Sequence, residues 1–152
     1  MIRHEAIAQL SRDHHQALLQ AMRLKRATDE TSDEVARAFV DFFDNECQHH
    51  FEVEEQVLLP LYCAWLGIEL AVEPIVVQVV REHVEPRAVV ELLRAEPGNT
   101  QLVRETGQRF DGHVRLEERK LFPMIQNALT DEQLTQLAVA VEAAEGQPVG
   151  PE

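Results

Sequence analysis

The sequence predicts an all-α protein: an up-down-up-down four-helix bundle with a short additional helix at the C-terminal end. Apolar residues recur at three- and four-residue steps along four long stretches, which is the pattern of amphipathic helices. Short breaks rich in polar residues, glycine and proline separate these stretches. The chain also repeats itself after 63 to 69 residues. A helical pair that occurs twice, with short connections, predicts a pseudo-symmetric bundle.

The first predicted helix covers residues 5–27. The second begins at Thr31, because Thr31 and Glu34 have the spacing of a capping box, and it ends at Gly67. Pro60 lies within this second helix. We expect it to bend or tighten the helix without ending it, because proline removes one backbone hydrogen bond.

The third predicted helix begins at Pro74, which suits a first helical turn, and Pro86 predicts a kink within it. The fourth helix follows the break at residues 95–99 and contains Gly112, which is interpreted as allowing close packing next to His113.

Another capping-box spacing, Thr130 with Gln133, opens the short additional helix, which runs to about residue 144. The length suits one domain, so we predict a single domain over residues 1–145. Residues 146–152, rich in glycine and proline, are predicted to be a disordered tail.

The most informative feature is the pattern H-x-x-x-E-E-x-x-L-x-P, which occurs at residues 50–60 and again at residues 113–123. A histidine and a glutamate four residues apart lie on one face of a helix. Each copy is preceded, one helix earlier, by R-[D/E]-H, at residues 12–14 and 81–83. The inner faces of all four helices therefore bring together His14, His50, Glu54, His83, His113 and Glu117.

This set of four imidazoles and two carboxylates predicts a metal site. It suits Fe, Mn, Zn, Co or Ni, and six ligands exceed what one tetrahedral zinc uses. They fit two metal ions, each with two histidines and bridged by the two glutamates, and iron is the expected occupant. His15 is the alternative to His14, although the helical phase favours His14.

A ligating histidine usually donates its other ring N–H to a carboxylate. Glu46, Asp13 and Glu82 are candidates for that role. Glu55 and Glu118 are interpreted as surface groups or carboxylates outside the ligand set, with direct contact to a metal as the alternative. Cys47 and Cys63 lie on one helix about 24 Å apart, at ~1.5 Å per residue, which excludes a disulfide between them. Cys47 is interpreted as a core residue.

The net charge of −13 argues against nucleic acid and anionic membrane surfaces as partners. No apolar run approaches the ~20 residues that span a bilayer, and the N-terminal residues lack the apolar core of a signal peptide. We therefore expect a cytoplasmic protein.

The two H-x-x-x-E-E segments and the two single histidines resemble the hemerythrin-like family, known as HHE cation-binding domains, over most of the chain. The resemblance implies a hemerythrin-like up-down bundle. It also implies a carboxylate- and oxo/hydroxo-bridged centre of two Fe ions on the six residues above, with Zn or Mn as substitutes. One position departs from the oxygen carriers of the family: Arg87 stands where they place a fifth histidine.

The resemblance implies a non-haem di-iron protein that binds or senses a small ligand such as O2 or NO. The alternatives are a di-iron enzyme that reduces peroxide, O2 or NO, and a protein of iron handling or iron-centre repair. A redox partner or a second copy of the chain are further candidate partners. Both ligand binding and catalysis need the same residues, so the sequence leaves these functions open.

Overall fold

The computed structural model describes residues 3–146, and these residues form helices without any β-strand. Helix α1 is Glu5–Lys25, α2 covers residues 32–66, α3 is Pro74–Ala95, α4 covers residues 100–128, and α5 is Asp131–Glu145. A short 3-10 turn, Leu70–Val72, precedes α3. Each long helix contacts the next, and α4 returns to α1, so the four enclose one interior. The predicted all-α bundle with an additional C-terminal helix is confirmed.

The additional helix α5 packs against α1 and the middle of α2. Of the tail predicted to be disordered, residues 147–152 lie outside the described residues, and Gly146 caps the end of α5. The prediction of a single domain over residues 1–145 stays a prediction.

Two apolar cores fill the bundle, one toward each end. One contains Leu10 of α1, Leu58 of α2 and Phe122 of α4, and α5 packs on it through Leu137. The other contains Leu24, Phe39, Phe43, Leu93 and Phe110. On every long helix, the histidines and glutamates of the repeat lie between the residues of these two cores. Burial of the apolar side chains on both sides, at roughly 25 cal/mol per Å², holds the polar layer in place.

Helices α2 and α4 contain π-helical turns at the repeated motif. These turns cover Glu54–Leu58 and Glu117–Leu121, and each closes with a backbone bond to the glutamate's carbonyl, from Leu59 or Phe122. A proline follows each one, Pro60 or Pro123. In a regular α-helix the proline ring would clash with the carbonyl four residues earlier, so a wider turn relieves the clash. The turn before Pro60 therefore widens, where the sequence predicted tightening or bending.

The two predicted capping boxes differ in outcome. Thr130 and Gln133 form both reciprocal bonds at the start of α5, as predicted. Thr31 makes no side-chain capping bond at the start of α2, so the box with Glu34 was wrong. The Thr31 hydroxyl instead accepts from the backbone N–H of Thr28 at 2.8 Å, which stabilises the turn before the helix.

The close approach between α1 and α4 occurs at Gly107. A Cβ added there would lie 2.7 Å from both Leu24 Cβ and the backbone nitrogen of Lys25, which is too close for any side chain. Around Gly112 nothing lies within 4 Å, so the prediction of close packing at Gly112 was wrong. Pro86 is buried inside α3 and does not end that helix.

Candidate metal centre

All six residues of the predicted ligand set are buried in the layer between the two cores. His14 lies on α1, His50 and Glu54 on α2, His83 on α3, and His113 and Glu117 on α4. The most exposed of them, His50, retains only 7% of its surface, and both glutamates retain none. His15 is exposed, so the helical phase points His14 inward as expected.

The Nε2 atoms of the four histidines surround the two glutamates. Glu54 Oε1 lies 2.9 Å from His50 Nε2 and 3.6 Å from His83 Nε2. Glu117 Oε1 lies 3.0 Å from His14 Nε2, and its Oε2 lies 3.4 Å from the Nε2 atoms of both His83 and His113.

The donor atoms form two groups that share Glu117. The first is His14, His50, Glu54 and Glu117, and the second is His83, His113 and Glu117. Within each group the donor atoms lie within 4.8 Å of one another. Each group thus offers two imidazoles and at least one carboxylate, and the glutamates lie between the two pairs of histidines.

Several of these atoms lack a hydrogen-bond partner within residues 3–146. They are Nε2 of His50, His83 and His113 and all four carboxylate oxygens of Glu54 and Glu117. The close approaches given above do not have hydrogen-bond geometry. Buried polar atoms without partners destabilise a fold unless they bind an ion or water. Their nitrogen and carboxylate chemistry fits borderline and hard metal cations.

Every histidine of the set places its other ring nitrogen, Nδ1, against a carboxylate. His50 pairs with Asp13 at 3.0 Å and His113 with Glu82 at 3.0 Å. Such a carboxylate holds the proton on Nδ1, which leaves the Nε2 lone pair free to face the centre. Asp13 and Glu82, which the sequence suggested for this role, therefore occupy it.

The remaining two histidines are held by the second glutamate of each repeated motif. Glu118 lies 2.7 Å from His14 Nδ1, and Glu55 lies 2.8 Å from His83 Nδ1. The sequence placed these glutamates outside the ligand set, and in the structure each contacts the Nδ1 side of a histidine. Glu46, however, is exposed and makes no hydrogen bond to a histidine within the described part of the chain, so that candidate was wrong.

Two glutamines extend the repeat further than the sequence reading recognised. Gln9 donates to Asp13 at 3.0 Å, and Gln78 donates to Glu82 at 2.9 Å. Each glutamine stands four residues before the acid it contacts, so the repeated segment is Q-x-x-R-[D/E]-H. Aligning the two copies over a longer window would have found them.

Arginines orient Glu55 and Glu118, the outer glutamates that contact His83 and His14. Arg87 makes two bonds to Glu55, at 2.9 and 3.0 Å, and its guanidinium lies 5.6 Å from the ring centre of Phe51. Arg3 donates to the Glu118 carboxylate at 3.0 Å, and Ser11 donates to it at 2.7 Å. Arg87 therefore fixes an outer carboxylate rather than approaching the centre.

Without metal, burial and neighbouring charges shift the pKa values of the residues in and around the cluster. Burial opposes charge on His113, but the negative charge of Glu117 outweighs it and raises the pKa of His113 to about 10. Burial also opposes charge on Glu118, but hydrogen bonds from His14, Ser11 and Arg3 lower the pKa of Glu118 to about 2. Burial and the neighbouring charge of Glu117 raise the pKa of Glu54. The pKa values of His14, His50 and His83 are raised as well, so protons on the histidines compensate the buried carboxylates in the metal-free protein, and a metal cation would replace them.

A cavity of about 480 Å³ leads to the cluster between α1 and α2; we call it the α1–α2 cavity. It reaches His14, His50, His113 and Glu117, and Asp13, Glu46 and Glu145 lie on its outer wall. Cys47 also lines it, in the core as interpreted from the sequence, and burial raises the pKa of its thiol well above the usual value. The cluster thus has a route to the surface.

Comparison with protein families gave one finding. A family model described as the hemerythrin HHE cation binding domain matches residues 5–125, a range that contains all six residues of the cluster. Comparisons with curated proteins and with solved structures found no match. In the described part of the chain, every helix is too short or too polar to cross a membrane.

Proposed function

The chain belongs to the hemerythrin HHE cation-binding domain family, and from that premise we propose that it is a di-iron protein that binds or senses a small ligand such as O2 or NO. One observation carries the proposal: the buried Nε2 and carboxylate atoms without partners all face one centre. A single zinc would use four of these donors at most, which leaves others unsatisfied.

The six residues divide between the two ions. His14 and His50 would hold one iron, His83 and His113 the other, and Glu54 and Glu117 would lie between them. Bound iron would supply a redox-active centre with positions for a small ligand. Zn or Mn are the substitutes that the same donors accept.

The chain's own residues orient the donors and restrict access to them. The ring of Phe51 stacks on His83, with ring centres 3.9 Å apart, and Phe122 stacks on His14 at 5.3 Å. These rings limit rotation of the two imidazoles and cover one face of each. The α1–α2 cavity is the route that a small ligand would take to His14 and His50.

Arg87 favours ligand binding or sensing over simple O2 carriage. It stands where the family's oxygen carriers place a fifth histidine, and its guanidinium is bound to Glu55. The second ion would therefore have only His83 and His113 as nitrogen ligands.

The first test is metal content with the visible spectrum of the purified protein. We expect two irons per chain in the wild type and none in the Glu54→Ala/Glu117→Ala double variant. The matched control is Glu34→Ala/Glu105→Ala, which removes two exposed carboxylates from the same two helices and should retain the iron. One zinc per chain in the wild type would contradict the proposal.

The second test concerns the ligand. Anaerobically reduced protein, exposed to O2 or NO and then returned to inert gas, should show a reversible change in visible absorption. No change with either gas would contradict the ligand part of the proposal even if both irons are present. Sustained turnover of peroxide or NO with an electron donor would instead support the enzyme alternative.

A further inference from the structure

A second cavity lies between α3 and α4, and we call it the α3–α4 cavity. Its volume is about 550 Å³, within the roughly 300–1,000 Å³ typical of small-molecule sites. It shares only Phe110 and His113 with the lining of the α1–α2 cavity, so these two residues separate the cavities. Its apolar surface is formed by Phe39, Pro86, Val89, Phe110 and Leu116.

The charge around the α3–α4 cavity is opposite to that of the whole chain. The chain has 27 acidic and 14 basic residues, yet four basic residues line this cavity against two acids, Glu82 and Glu85. Both acids are engaged, since Glu82 contacts His113 at 3.0 Å and Glu85 accepts from Arg109 at 2.6 Å. The basic residues are Arg109, Arg115, Arg119 and Lys120.

Two of the four basic side chains remain unneutralised. Arg115 is bound to Asp111 at 2.7 Å, as Arg109 is to Glu85. Arg119 and Lys120 are exposed, and neither forms an ion pair with any residue that the structure describes. Both belong to the π-helical turn of α4. The rim of the cavity therefore carries two free positive charges next to an apolar wall.

Gly112 adds open space on the α4 side of the cavity. It lines the cavity, and no atom lies within 4 Å of the position where its Cβ would be. A helical glycine that packs against nothing is disfavoured relative to alanine by about 1 kcal/mol, so helix packing does not account for it.

We propose that the α3–α4 cavity binds a small amphipathic organic anion. The apolar body packs against Leu116 and Val89, and its acid group pairs with Arg119 and Lys120. A charged acid group forms its strongest hydrogen bonds with such cations. The ligand class is an organic carboxylate or sulfonate with an aromatic or alkyl body. The site is formed by the chain alone, so this proposal does not rest on iron at the centre.

The probe is anilinonaphthalenesulfonate, an aromatic sulfonate that becomes fluorescent when it binds an apolar site. Titration of the full chain should show saturable binding, and decanoate should displace the probe. The Arg119→Gln/Lys120→Gln variant should bind the probe at least about tenfold more weakly, because both charge-assisted contacts are lost. The matched control is Arg23→Gln/Arg26→Gln, which removes two exposed cations at the C-terminal end of α1 and should change the Kd less than about twofold.

Gly112→Leu supplies an independent test, because its side chain would extend into the open space of the cavity. We expect it to abolish probe binding while circular dichroism and the unfolding midpoint show a retained fold. If this variant does not fold, the Arg119→Gln/Lys120→Gln comparison decides alone. Absence of saturable binding by the wild type, or equal affinity in the two double variants, would overturn the proposal.

Discussion

The two halves of the chain, α1–α2 and α3–α4, are alike in the interior and unlike at the periphery. In each half, the acid before the single histidine holds the histidine of the H-x-x-x-E-E segment: Asp13 holds His50, and Glu82 holds His113. The second glutamate of that segment instead holds the single histidine of the other half. Neither half orients all of its own histidines, so the geometry of the cluster depends on the docking of both.

The contacts between the halves differ. At Gly107 of α4 the backbone approaches α1 near Lys25. The repeat offsets of 63 and 69 residues place Asp44 and Arg94 at the corresponding positions of α2 and α3, where Arg94 Nη2 lies 2.5 Å from Asp44 Oδ1. The α1–α4 interface thus combines a close backbone approach with an ion pair, Lys25 Nζ with Asp111 Oδ1 at 3.1 Å, whereas the contact at the corresponding positions of α2 and α3 is an ion pair of side chains. The repeated residues determine the cluster, and residues outside the repeat determine packing and access.

The largest expected effect is a loss of metal, and it should differ between variants of the two central glutamates, Glu117 and Glu54. Glu117 approaches the Nε2 atoms of three histidines, whereas Glu54 approaches two. Glu117→Ala should therefore remove both metal ions, and Glu54→Ala should retain part of the metal. In the Glu117→Ala variant, metal affinity measured by competition with a chelator should fall by more than the roughly 10–100-fold that is typical when a carboxylate behind a ligating histidine is removed. Equal losses in the two variants would show that the glutamates are equivalent.

A smaller effect is expected when an outer glutamate is removed. Glu118→Ala and Glu55→Ala each leave one histidine, His14 or His83, without its Nδ1 acceptor. Chelator competition should show metal affinity about 10–100-fold weaker in each variant. Glutamine retains an acceptor oxygen, so Glu118→Gln should lie between Glu118→Ala and the wild type. Unchanged affinity in both alanine variants would contradict the interlocked arrangement of the halves.

The fold class and the position of the cluster could be predicted because both depend on helical periodicity. Four-residue spacing places His50 with Glu54, and His113 with Glu117, on common faces, and the repeat aligns the two pairs. Burial then follows from the apolar residues on the same faces. The identification of these residues as metal ligands stays a prediction.

Features that depend on contacts between helices could not be predicted. Nothing local distinguishes Gly107 from Gly112, because only the approach of α1 makes the first one necessary. Glu46 and Glu55 are both acids near the motif on α2, and only the position of α3 shows that Glu55 meets His83. The capping bond of Thr31 was lost to a competing local turn at Thr28.

The metal-free protein should lose stability on both sides of neutrality. In the folded state the pKa of His113 is about 10 against 6.5 for a free histidine, so the folded chain holds an extra proton between these values. The free energy of unfolding should therefore fall as the pH rises from 6.5 to 10. The pKa of Glu118 is about 2 against 4.5, so stability should also fall as the pH decreases from 4.5 to 2.

Urea unfolding at stepped pH, with a chelator present, would measure both effects. Glu118→Gln should reduce the slope of the acidic part of the curve, and His113→Gln should reduce the slope of the alkaline part. Metal binding must displace the proton of His113. The affinity for metal should therefore rise as the pH increases from 6.5 to 10, the range in which the metal-free chain loses stability. A flat curve in the wild type would contradict this electrostatic account of the cluster.

The smallest expected effects test the difference between the two interfaces. Gly107→Ala would place a Cβ 2.7 Å from Leu24 Cβ, and such overpacking costs about 1–3 kcal/mol, partly offset by about 1 kcal/mol of helix propensity. Asp44→Ala removes a half-exposed ion pair with Arg94, worth at most about 1 kcal/mol. Gly112→Ala, with open space around it, should stabilise α4 by up to about 1 kcal/mol. Urea unfolding of the three variants compares these free energies. If Gly107→Ala is as stable as Gly112→Ala, α1 can move away from α4, and the two interfaces differ less than their contacts indicate.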